Sequence, residues 1–198
     1  MYTIQATIRG TAAILQHKFS DATLLGLQKR ESKRKSGKPD YSDEWLGTMY
    51  AHNGYVYQPA NHIEGALVKA ATRFRSGKQT WKDPFRAYVY IVGIDHPDKI
   101  YHYFNGQCIP EPTIELIENP TDVLSVNISR VTVQRAAVAR SRLQIEPGWE
   151  LTFRIEVHDE QVPFELVRDV LEEAGRAVGI GDYRPRYGRF EIIDFQKI

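Results

Sequence analysis

The feature that most narrows the fold is a period-two alternation of apolar and polar residues that recurs near both ends of the chain. In WELTFRIEV, residues 149–157, Trp149, Leu151, Phe153, Ile155 and Val157 share one face. MYTIQATIRG repeats the pattern, with Tyr2, Ile4, Ala6 and Ile8 opposite Thr3, Gln5, Thr7 and Arg9. Successive side chains of an extended strand point to opposite faces, so each segment must lay one face on a core. A half-apolar sheet needs a second layer to cover it. That layer is legible after Pro163, where Phe164, Val167, Val170, Leu171, Ala174 and Val178 recur at helical spacing and Gly179 marks the stop. RFEIIDFQKI, 189–198, then reads as a final strand.

Other segments fill in the order. GYVYQ, 54–58, predicts a short strand. Ile63, Leu67, Ala70, Ala71 and Phe74 predict a helix over about 61–75, with Asn61 and Glu64 at capping-box spacing. RAYVYIVG, 86–93, is β-rich, and 94–122, with four prolines and several acids, predicts irregular connections around short strands. Alternation from Val123 to Arg130 predicts another strand, and EPGW, 146–149, reads as a hairpin turn. Residues 20–53 are polar, and KRESKRKSGKPDYSDE combines like-charge runs with Gly37 and Pro39, so the segment reads as a mobile basic loop inserted in the fold. Together these elements predict an α+β fold, a ferredoxin-like (RRM-like) βαββαβ core with large insertions in one domain over 1–198. A different mixed sheet is the competing arrangement.

Composition removes several function classes. The 198 residues can bury an adequate single core without cross-links. Cys108 is the sole cysteine, so an intrachain disulfide and a four-cysteine zinc module are both excluded, and a reducing, cytoplasmic setting is favoured. The N-terminal segment does not read as a secretory signal, and no stretch approaches the roughly 20 apolar residues of a spanning helix, so no membrane partner is expected. The net charge of +1 conceals an uneven distribution: Lys29, Arg30, Lys33, Arg34, Lys35 and Lys38 fall close together. Such a run can order along a polyanion and release its counterions, or it can simply be a solvated loop, with Tyr41 and Trp45 beside it as stacking candidates.

The most informative segment is VGIGDYRPRYGRFEI, 178–192. It sets Gly179, Gly181 and Gly188 around Arg184, Arg186 and Arg189, between a predicted helix and a predicted strand. Glycines let backbone N–H groups approach phosphates, arginine forks match phosphate oxygens, and Tyr183 and Tyr187 offer faces on which bases stack. An ordinary helix-to-strand connection, with its arginines paired to Asp182 and Glu191, is the plainer alternative. Arg140 and Arg142 would share a strand face with Val138 and could make a basic sheet surface or a charge-protected edge.

The segment GIGDYRPRYGRFEI, together with YQPANHIEGALVKAATRFR at 57–75, resembles the RAMP superfamily of CRISPR-associated proteins, whose members carry a glycine-rich loop after the last helix of a ferredoxin-like fold. The resemblance covers about a sixth of the chain, in these two blocks. It implies that both blocks face RNA, which adds Asn61, His62, Lys69, Arg73 and Arg75 as contacts. The same loop is also similar to the ends of small phage and prophage proteins. Function is therefore expected to be binding of RNA or single-stranded DNA without catalysis, with self-association along the strand or membership of a larger ribonucleoprotein, and no cofactor. A phage or host structural interaction protein is a third reading.

Catalytic motifs are sparse. His17, His52, His62, Asp95, His96, His102 and His158 lack an HExxH or another compact ligand spacing, so no metal site is expected. GKQT, 77–80, resembles the end of a P-loop but lacks the upstream glycine spacing and the strand-to-helix setting. Some RAMP proteins are metal-independent ribonucleases in which a histidine or tyrosine assists attack by the RNA 2′-OH. By that resemblance His17 is the candidate, against a structural histidine as the plainer reading.

Overall fold

The computed structural model describes residues 1–18, 44–133 and 136–198. The basic run containing Lys29, Arg30, Lys33, Arg34 and Lys35 lies outside them, as does Tyr41.

The principal sheet contains both strands that the alternation near the chain ends predicts. β1 (Tyr2–Gly10) lies between β13 (Glu150–Val157) and β14 (Phe190–Lys197), and β7 (Val89–Gly93) lines the far side of β13. All these pairings are antiparallel, and the order β14–β1–β13–β7 is fourth, first, third, second for a βαββαβ unit. The core is therefore ferredoxin-like, as the sequence predicts. Period two explains its inner face: Ile4, Ala6, Ile8, Leu151, Phe153, Ile155 and Val157 are all wholly buried. Two helices supply the covering layer. α2 (Ala60–Ala70) contributes Ile63, Ala66 and Leu67, and α4 (Phe164–Glu173) contributes Val167, Val170 and Leu171.

Insertions surround this core. β2 (Ile14–Gln16) follows β1, and after the undescribed stretch come α1 (Glu44–Thr48) and β3 (Ala51–His52). β3 pairs with β4 (Tyr55–Pro59), and β4 pairs with β8 (Lys99–Tyr101). α2 runs into a 3-10 turn at Ala71–Arg73, then a hairpin of β5 (Arg75–Ser76) and β6 (Gln79–Thr80), then α3 (Lys82–Tyr88). β9 (Tyr103–Phe104) and β10 (Gln107–Cys108) extend the main sheet beside Glu150. Finally β11 (Leu124–Val133) and β12 (Ala136–Ile145) form a long hairpin whose second strand also pairs β2.

Several expectations are corrected. The inserted loop does not reach residue 53, because α1 and β3 are formed and Trp45 is wholly buried, with its backbone N–H donating to Ser141 Oγ at 3.1 Å. Trp45 is therefore a core residue and offers no stacking face to solvent. The turn EPGW joins two different sheets rather than two paired strands, since β12 pairs β11 and β2 while β13 pairs β1 and β7. Trp149 fills that corner: its indole N–H donates to the Ala12 carbonyl at 2.9 Å, and a Cβ on Gly10 would lie 2.1 Å from its ring. Asn61 does not cap α2. Pro59 stands at the cap position without a side-chain hydrogen bond, and the Glu64 carboxylate accepts the Ile91 N–H instead. Residues 86–88 end α3, anchored by buried Phe85, so local helix packing overrides their β-rich composition. β2 pairs only Leu143–Ile145 of β12, so the stretch that carries Arg140 and Arg142 has β11 as its strand partner. GKQT forms the β5–β6 turn, with Gly77 at φ 61°, which is no phosphate loop.

Candidate nucleic-acid interface

α4 ends in a π-helical turn, Ala174–Val178, and Gly179 stops it at φ 71°. Gly175 lets this turn press on β14, since a Cβ there would meet the Phe190 carbonyl oxygen at 2.2 Å. The following loop folds back on itself and on β2. Gly188 stands at φ 72°, and a Cβ on it would fall 1.7 Å from the Ile180 carbonyl oxygen. The N–H groups of Ile180, Asp182 and Gly188 donate to the carbonyls of Gly188, Leu15 and Ala13, at 2.9, 2.8 and 2.8 Å. Gly179, Gly181 and Gly188 thus shape the loop by allowing backbone to meet backbone, and these amides are spent inside it. The exposed side chains of the loop are then its candidate ligand contacts.

Arg184, Arg186 and Arg189 are exposed, and none of them has an ion-pair partner among the described residues. The expected pairing with Asp182 does not occur, because that carboxylate belongs to Arg142. Arg142 is almost completely buried; its Nε donates to Asp182 Oδ2 at 2.6 Å and its Nη1 to Ser129 Oγ at 3.1 Å. Its guanidinium also lies 5.3 Å from the centre of the Tyr183 ring. Tyr183 is 47% exposed and takes a positive φ of 57°, unusual for a residue with a side chain. Tyr187 is half-buried. Arg140 binds Glu44 at the start of α1. Arg142 and Arg140 therefore fasten the long hairpin to the loop and to α1, and a free basic face on β12 is not formed.

The first turn of α2 lies beside this loop. Asn61 is exposed, and His62 Nδ1 sits 2.6 Å from Gln58 Nε2. Burial, and then the nearby Arg184 guanidinium, hold the His62 imidazole below its ordinary pKa, so it is neutral at pH 7. The two blocks singled out in the sequence do come together at this point. Lys69, Arg73 and Arg75 do not share it: Lys69 stands about 12 Å further along the helix at 1.5 Å per residue. Arg73 is held by Glu173, which also binds Arg176.

His17 lies just after β2, near Arg142 and Asp182. Its Nδ1 is buried with no hydrogen-bond partner, and burial, followed by Arg142, lowers its pKa against the opposing pull of Asp182 and Glu44. Among the described residues no three His, Cys, Asp or Glu side chains converge into a metal-sized group. No described helix is long and apolar enough to cross a membrane.

Sequence reasoning missed the three-stranded sheet β3–β4–β8 that adjoins the loop. Its signal was the Asn53-Gly54 pair, with both residues at positive φ, the turn chemistry of a two-residue hairpin. Asn105-Gly106 repeats it between β9 and β10.

No protein-family model and no curated protein matches the chain. Among solved structures it is similar in fold to a chain in the cryo-EM structure of the Type III-B Cmr-beta bound to cognate target RNA, with a TM-score of 0.59 and 12% identity. The likeness covers 100% of this chain and 60% of that chain, so the protein spans less than two thirds of its neighbour's length. At that identity the similarity is one of fold.

Proposed function

We propose that the protein is a RAMP-like binder of single-stranded nucleic acid, RNA in the first instance, that holds its strand without cutting it. The observation that carries this reading is a set of exposed loop arginines, free of acid partners among the described residues, with Arg184 beside His62 at the start of α2. The one loop acid is committed to Arg142, which leaves the three guanidinium groups open to solvent and to a ligand. The fold shared with a chain from an RNA-bound complex supports the same reading. In this account Arg184, Arg186 and Arg189 hold phosphates, Asn61 and His62 face the strand, and Tyr183 and Tyr187 flank it. Lys69, near the end of α2, and Arg75, in β5, would be separate contacts away from the loop, and the basic run from Lys29 to Lys35 adds contacts on sequence grounds. Assembly of copies along the strand, in a cytoplasmic ribonucleoprotein of CRISPR-associated or phage type, belongs to the proposal.

The test is purification followed by absorbance ratio and nuclease treatment. Co-purifying oligonucleotide that ribonuclease removes is the expected result. A nucleic-acid-free protein that retains no labelled single strand at low salt would overturn the reading. The orphaned, neutral imidazole of His17 favours one alternative, a metal-independent ribonuclease, in which His17→Ala would abolish cleavage of a strand the variant still binds.

A further inference from the structure

The outward face of the β3–β4–β8 sheet is aromatic where a solvated face is ordinarily charged. Strand parity divides it cleanly. Val56, Gln58 and Ile100 point inward and are almost wholly buried, whereas Tyr55, Tyr57 and Tyr101 point outward. Register brings the rings together, with Tyr57 opposite Tyr101 and His52 opposite Tyr55. A continuous path of rings results: His62 to Tyr50 at 5.4 Å between centroids, Tyr50 to Tyr57 at 5.6 Å, Tyr57 to His52 at 6.5 Å, His52 to Tyr101 at 6.4 Å, and Tyr101 to Tyr55 at 6.3 Å.

The rings are held in place. Buried Gln16 clamps the strands beneath them, donating to the Tyr57 carbonyl and accepting the Tyr50 N–H, both at 2.8 Å. His52 Nδ1 and the Tyr101 hydroxyl lie 2.8 Å apart. The path opens beside a cleft of about 460 Å³ lined by Tyr50, Tyr57, Asn61, His62 and Lys99, at the first turn of α2. It begins, through His62, next to Arg184.

We propose that this ring path is a base-stacking platform, on which unpaired bases of a single strand lie while its phosphates are held by the glycine-loop arginines. The inference rests on the nucleic-acid reading above and adds where the bases go. Charge separates bases from phosphates here. Burial raises the Tyr50 and Tyr57 hydroxyls above their ordinary pKa, and desolvation, then Lys99 and His96, lower that of His52, so each shift favours the uncharged ring. Asp95 and Asp98 border it and would repel a phosphodiester laid directly on the rings. Lys99 is the cation at the surface, with Nζ 5.9 Å from the Tyr57 centroid. Stacking on such rings is tolerant of sequence, since every base has a π-face.

The experiment compares a labelled oligoadenylate with an abasic ribophosphate of equal length on wild type, Tyr55→Ala/Tyr101→Ala and Tyr55→Phe/Tyr101→Phe. Wild type should bind oligoadenylate more tightly than the abasic strand. The alanine pair should lose about fivefold or more per ring on oligoadenylate alone, and the phenylalanine pair should retain wild-type affinity. Equal binding of both strands by wild type and the alanine pair would overturn the platform while leaving a phosphate-binding protein. No binding of either strand by wild type would overturn both readings. Should the alanine pair melt early, Tyr55→Leu alone, at the most exposed ring, carries the same comparison.

Discussion

Replacing Asp182 by Ala should destabilise the fold and loosen the loop at the same time. Arg142 has only 5% of its side chain exposed, while Asp182 is 34% exposed. Removing one partner of a fully buried pair costs about 3–5 kcal/mol, because the remaining charge is uncompensated. Water can reach the Asp182 side of this pair, and Ser129 Oγ and the Tyr183 ring still contact the guanidinium, which lowers the figure to roughly 2–3 kcal/mol. For a chain of this size 1 kcal/mol shifts Tm by about 2–4 °C, so a drop of roughly 4–12 °C is expected. Scanning calorimetry reads the shift, and affinity for single-stranded RNA should fall in parallel although Arg184, Arg186 and Arg189 are untouched. Asp182→Asn, which keeps an acceptor, should lie between wild type and Ala. A melting temperature for Asp182→Ala within about 1 °C of wild type would refute the claim that this pair fastens the loop to the hairpin.

Two further predictions concern stability. Gly188→Ala combines a positive φ with a Cβ 1.7 Å from the Ile180 carbonyl oxygen, so it should cost several kcal/mol, of order 3, and denaturant unfolding at a wild-type midpoint would contradict the packing. His102 is wholly buried against Trp149, and burial pushes its pKa from 6.5 down to about 3. The folded state then binds fewer protons than the unfolded state between those values, so stability should fall by up to about 1.4 kcal/mol per pH unit as pH drops from 6.5 toward 3. His102→Gln should lose that part of the acid sensitivity in urea titrations across this range; an unchanged pH slope would contradict it.

The strands of the main sheet and the apolar stripes of α2 and α4 were legible because local periodicity records which face is buried. Sheet membership was not, because it depends on distant partners. EPGW has turn chemistry either way, and only the packing of Trp149 against Gly10 and Ala12 sends the chain into a second sheet. Trp45 sits among polar residues and reads as loop until Ser141 and the hairpin close over it. At the candidate site, the glycine loop and the start of α2 were legible as segments, but the close backbone approaches that Gly179, Gly181 and Gly188 permit were not. It also missed the pairing of Asp182 with Arg142, which lie 40 residues apart. The aromatic face escaped notice for a similar reason: Tyr55, Tyr57 and Tyr101 become one surface only through the register of β4 with β8.

The most direct measurement of the central claim is fluorescence anisotropy of a labelled single-stranded RNA against wild type and the combined variant Arg184→Ala/Arg186→Ala/Arg189→Ala, across a salt series. Binding by wild type should weaken steeply with salt, by about 0.7 in the logarithmic slope for each phosphate neutralised, and the variant should bind weakly with a slope shallower by roughly 2. A variant that keeps the wild-type circular dichroism and melting profile, together with wild-type affinity and salt dependence, would contradict the account.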